Sequence, residues 1–135
     1  MHIVPLSLQA LTLLQELHPL TGYSRFLFPG LRSAERSISD VALNAALRRM
    51  GFAKNEQTTH GFRTIASTLL NELGFNADVI ERQLAHVPSN KVRSAYNRAE
   101  RLAERRDMMQ AWADYLDGLR TGAKVTSVGR KRDAA

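Results

Sequence analysis

The stretch from Thr59 to Leu73 constrains the fold most. Phe62, Ile65, Ala66, Leu69 and Leu73 keep the i, i+3, i+4, i+7, i+11 spacing of one helical face, and Gly74 stands where such a helix closes. Ser39 suits the N-cap of a second helix, Asp40–Met50, whose stripe is Leu43, Ala46, Leu47 and Met50, with Gly51 at the C′ position. Asn76 opens a short helix carrying Val79, Ile80 and Leu84, and Val87-Pro88 ends it near His86. A long amphipathic helix, about Glu100–Leu119, carries Leu102, Met109, Trp112, Leu116 and Leu119. Ser7 opens an N-terminal helix with Leu8, Leu11, Leu14 and Leu17 on one face. The spacing predicts a mainly α fold.

The connections are less regular. His2–Pro5 reads as a short strand, and a lone strand needs a partner. Pro19–Glu35 reads as a loop and Asn55–Thr58 as a polar turn. Residues 1–120 are expected to form the one modest domain that 135 residues allow. Thr121–Ala135 has two glycines, a Gly-Arg-Lys-Arg run and no apolar period, so a flexible basic tail is expected there. Without cysteine there is no disulfide framework, no Cys-based zinc site and no thiol nucleophile. No apolar run reaches the roughly 18 residues of a membrane span, and Met1–Pro5 has no signal-peptide pattern. A soluble intracellular domain with no membrane partner is the expectation.

Charge narrows the partners. Nineteen Lys and Arg against thirteen Asp and Glu give +6, and only Lys54, Lys91, Lys124 and Lys131 are lysine. The planar arginine fork matches phosphate oxygens, so this bias points toward nucleic acid, although a merely solvated basic surface has the same composition.

Few residues carry chemistry. His60 and Arg63 fall at i, i+3 on the first turns of the Thr59–Leu73 helix, where free amides and the helix dipole favour a phosphate. His86, at the turn before Val87-Pro88, can donate to an oxyanion or relay a proton. Tyr96 is a weak nucleophile at neutral pH unless arginines and a polarised phosphate assist it. Taken singly, each of these also suits a plain structural role. Tyr23 and Tyr115 are less apt, one in a loop beside glycine and one on the Trp112 side of the last helix. No metal-ligand spacing accompanies His60 or His86, no carboxylate pair suits hydrolysis, and no Gly-rich phosphate loop follows a strand.

The ordered set His60-x-x-Arg63, Leu84-Ala85-His86 and Tyr96 resembles the C-terminal catalytic half of phage-type integrases, the tyrosine recombinases. His2-Ile-Val-Pro-Leu-Ser7 and Phe26-Leu-Phe-Pro-Gly30 are similar to family segments. Thr58-Thr59-His60-Gly61-Phe62-Arg63 through Ala95-Tyr96-Asn97-Arg98 is close to prophage-type integrases of Gram-negative bacteria. The resemblance spans about residues 2–120. It implies a truncated, mainly helical catalytic domain with a short N-terminal strand remnant.

It also implies chemistry. Tyr96 would attack a DNA phosphate to form a 3′-phosphotyrosyl link. Arg63 would hold the non-bridging oxygens, His60 would assist the proton at the nucleophile, and His86 would hydrogen-bond the phosphate. No cofactor or metal is implied. The partner would be double-stranded attachment-site DNA in the bacterial cytoplasm, at the nucleoid. The family's further arginine and lysine are expected before His2, so the chain alone is expected to cleave poorly. Lys91, Arg93 and Arg98 are candidate DNA contacts. The cluster Arg93, Arg98, Arg101, Arg105 and Arg106 equally fits solvated faces paired with Glu100, Glu104 and Asp107. The Met109/Trp112/Leu116/Leu119 stripe suggests self-association. A non-catalytic DNA-binding module, or a helical interaction fragment, is the open alternative.

Overall fold

The computed structural model describes residues 2–85 and 101–122. They form five helices: α1 (Leu8–Thr21), α2 (Asp40–Arg49), α3 (Thr59–Glu72), α4 (Ala77–Gln83) and α5 (Leu102–Arg120). The chain divides into two compact units, one of residues 9–65 and one of residues 1–8 with 66–135, so α3 contributes its first half to one and its second half to the other. The fold is mainly helical, as the apolar spacing predicts.

Local sequence explains most helix ends. Ser39 caps α2 by accepting from the Ala42 amide, and Asn76 caps α4 by accepting from the Asp78 amide. Asp40 lies in the first turn of α2 and Arg48 and Arg49 in its last, complementing the helix dipole. Behind α3 the Phe75 amide donates to the Leu70 carbonyl (3.1 Å) and the Gly74 amide to Asn71 (3.0 Å). This Schellman closure requires the φ of +84° that Gly74 supplies.

Three expectations change. His2–Pro5 forms no strand: no partner strand lies beside it among the described residues, where the isolated bridge is Pro29 with Ser37. α1 runs through Pro19 to Thr21, three residues into the expected loop. A proline in the last turn removes only one helical hydrogen bond, and the Gly22 amide still closes on the His18 carbonyl at 2.7 Å. α4 ends at Gln83, short of His86, because Ala85 turns left-handed at φ +52°.

The 66–135 unit holds a core of Leu70, Val79, Ile80 and Met108, with Phe75, Leu84, Met109 and Trp112 packed against it. Within α3 the buried position is Leu70, whereas Phe62 and Ile65 of the expected stripe are exposed. Leu70 lies about 80° round the helix from Phe62, so the packed face is rotated to one flank of the apolar arc. On α5 the buried positions are Arg105 and Met108. Arg105, read from sequence as one of a solvated or phosphate-facing cluster, is 1% exposed. Its Nε donates to Gln83 Oε1 (2.9 Å) and its Nη2 to the Ile3 carbonyl (2.6 Å). A buried guanidinium persists only when hydrogen-bonded, and these acceptors meet that need.

Candidate active site

The first two turns of α3 carry His60 and Arg63, and several bonds within the 9–65 unit fix the start of the helix. The Thr58 hydroxyl accepts from the Gly61 amide at 3.1 Å. Asn44 of α2 accepts from the Thr59 amide through Oδ1 (3.1 Å), and its Nδ2 donates to the Thr59 hydroxyl (3.3 Å) and to the Asp40 carbonyl (3.0 Å). One turn further along α2, Arg48 Nη2 donates to the Gln57 carbonyl. An α-helix leaves its first four amides without helical partners, and here two of them are satisfied by Asn44 and Thr58.

His60 is exposed and Arg63 half-buried. No acidic residue lies in the first turn of α3, so no carboxylate of that turn offsets the positive end of the helix dipole. An imidazole and a guanidinium at such a turn suit the non-bridging oxygens of a phosphate, which the guanidinium binds through two N–H groups. On the same unit Met50, Gly51, Phe52, Glu56, Gln57, Phe62 and Ile65 line an open groove of about 620 Å³.

His86 and Tyr96 lie outside the described residues, as do the candidate DNA contacts Lys91, Arg93 and Arg98. The structure therefore brings together His60 and Arg63 of the four expected catalytic residues. Tyr115 stacks on Trp112, with ring centroids 5.6 Å apart and planes at 14°. That contact is a packing role. Among the described residues no group of three His, Asp or Glu is gathered to hold a metal ion, and no helix is long and apolar enough to cross a membrane.

Sequence reasoning missed Asn44. Asparagine is a poor interior helix residue because its side chain competes for backbone groups, and one at the fifth position of α2 was a legible signal. Arg105 carried no comparable signal, since arginine is ordinary on a helix surface.

Residues 1–102 match the model of the phage integrase family. The chain is 51% identical over 119 residues to the integrase of Enterobacteria phage P4, covering 86% of this chain and 27% of that protein. It is 47% identical over 124 residues to the prophage integrase IntA of Escherichia coli (strain K12), covering 92% of this chain and 30% of that protein. With the integrase of Shigella phage Sf6 the identity is 41% over 117 residues, 86% of this chain and 30% of that protein. The chain thus spans about 30% of the length of these curated relatives. No solved structure matches it significantly.

Proposed function

The chain belongs to the phage integrase family, and from that membership we propose that it supplies the C-terminal part of the catalytic domain of a site-specific DNA recombinase. The Tyr96 phenol attacks a scissile phosphate on attachment-site DNA. A phosphotyrosyl bond forms to the 3′ side, the bond from phosphorus to the 5′ oxygen breaks, and that oxygen leaves with a proton as a 5′-hydroxyl. Attack by a 5′-hydroxyl reverses the step and rejoins the strand. The covalent link conserves the phosphodiester energy, so the cycle consumes no nucleotide.

Arg63 neutralises charge on the non-bridging oxygens as the five-coordinate phosphorus develops. His60 assists the proton at the nucleophile, and His86 hydrogen-bonds the phosphate. The observation that carries this reading is the pairing of His60 and Arg63 on the first two turns of α3, whose start is tethered at Thr59, inside the segment that matches the family.

Taken as an isolated polypeptide, the 135 residues hold Arg63 but no further arginine and lysine in matching contexts. The loss of one charge-stabilising donor typically costs about 10²–10³ in rate, so the isolated chain is a weak strand-cleaving agent. It acts in the bacterial cytoplasm, at the nucleoid. Self-association through α5 accompanies this reading, favoured by Leu116 and Leu119, which are 44% and 52% exposed. The test is fluorescence anisotropy of a labelled duplex titrated with the chain at several salt concentrations. Saturable binding that weakens steeply with salt, and weakens further in Arg63→Gln, is the expected result. A folded sample that does not bind at low salt overturns the reading.

A further inference from the structure

Two side chains of α2 hold the turn that carries His60. Asn44 bonds both the amide and the hydroxyl of Thr59, and Arg48, four residues on and so on the same face of α2, bonds the carbonyl of Gln57. These contacts bracket Thr58, whose hydroxyl takes the Gly61 amide. The first amide of α3 is thus satisfied by a neighbouring helix and not by its own flanking sequence.

The arrangement is poorly suited to stability alone. Asn44 occupies a helix interior position where alanine or leucine is preferred. Arg48 Nε and Nη1 and Gln57 Nε2 are buried without a hydrogen-bond partner among the described residues, which costs free energy that an apolar contact would not. What the arrangement does achieve is direction. Helix ends fray, and a turn whose His and Arg must meet one phosphate tolerates only about 0.5 Å of misplacement.

We propose that Asn44, acting with Arg48, is a positioning residue that sets the first turn of α3 and thereby aims the His60 imidazole and the Arg63 guanidinium at a DNA phosphate. The proposal rests on the recombinase reading for its ligand, but the positioning itself is measurable without DNA.

The experiment uses the 135-residue chain and the variants Asn44→Leu, Asn44→Asp, Arg48→Met and, as a control, Asn71→Leu. Leucine favours the helical state of α2 and removes both bonds to Thr59; aspartate keeps the acceptor for the Thr59 amide. Asn71 bonds the Ser67 carbonyl within α3, remote from the turn in question. The readouts are hydrogen exchange of the Thr59 amide, NMR resonances of the His60 ring and the Arg63 Nε–H, and affinity for a labelled DNA duplex.

In Asn44→Leu the Thr59 amide is expected to exchange about tenfold faster, as loss of one hydrogen bond implies. The His60 and Arg63 resonances move, and duplex binding weakens several-fold. Asn44→Asp returns all three toward the parent, and Asn71→Leu leaves them unchanged. Unmoved His60 and Arg63 resonances in a folded Asn44→Leu overturn the proposal. If Asn44→Leu does not fold, Arg48→Met decides in the same way. Duplex binding unaffected by Arg63→Gln would sink the recombinase reading instead, while the DNA-free resonances still decide the positioning role.

Discussion

Arg105 Nη2 lies 2.6 Å from the carbonyl oxygen of Ile3, joining α5 to a segment 102 residues earlier in the chain. The same guanidinium bonds Gln83 Oε1 at 2.9 Å, so one side chain links three stretches of the 66–135 unit and its N-terminal residues. The Leu8 amide, at the start of α1, donates to Gln110 Oε1 of α5 at 2.9 Å and strengthens the same junction.

Truncating Arg105 leaves the Ile3 carbonyl and the Gln83 side chain short of a donor and opens a cavity beside Met108. Arg105→Ala is expected to destabilise the chain by about 3 kcal/mol, the scale for breaking a buried charged network. Urea unfolding followed by circular dichroism measures this. A loss below about 0.5 kcal/mol, the scale of a surface substitution, contradicts the structural role.

Ile80 is fully buried, at 0% exposure, and packs in the same cluster as Leu70, Val79 and Met108. Ile80→Ala should therefore cost about 2–5 kcal/mol. Phe62→Ser, at a site 55% exposed, should cost markedly less. Equal losses in the two variants would contradict the packed face assigned to α3.

Gly74 has φ +84°, and a methyl group added there would meet nothing within 4 Å, so strain at this position comes from the backbone alone. Gly74→Ala should destabilise by about 1 kcal/mol. Ala85 already bears a left-handed φ of +52°, and Ala85→Gly should be neutral or slightly stabilising. Thermal unfolding of the two variants checks the opposite signs.

These contrasts show what a sequence conveys. Caps and closing glycines are local, so Ser39, Asn76, Gly51 and Gly74 were legible: each side chain or φ acts within a few residues of its own position. His60 and Arg63 were legible as a pair because a helix fixes the i, i+3 relation. Arg105 was not, since its partners Gln83 and Ile3 are 22 and 102 residues away and arginine on a helix is ordinary. The rotation of the buried face of α3 toward Leu70 was likewise hidden, because periodicity defines an apolar arc and packing chooses its edge. His2–Pro5 had the composition of a strand, but strand formation depends on a partner that composition does not report.

Duplex binding should also report its electrostatic origin. Arg63→Gln is expected to weaken binding and to make the slope of log affinity against log salt less negative by about 1, the signature of one lost phosphate contact. A weaker affinity at unchanged slope would place the effect of Arg63 on folding instead of on phosphate.

In the proposed reaction Tyr96 becomes covalently joined to DNA. Grafted in place of the matching residues of the phage P4 integrase, the chain should support covalent capture of a nicked duplex that carries that integrase's own site. Mass spectrometry should find the nucleotide on Tyr96, and Tyr96→Phe should abolish the adduct while leaving duplex binding intact. A folded, DNA-binding graft that forms no adduct, or an adduct that survives Tyr96→Phe, would contradict the account.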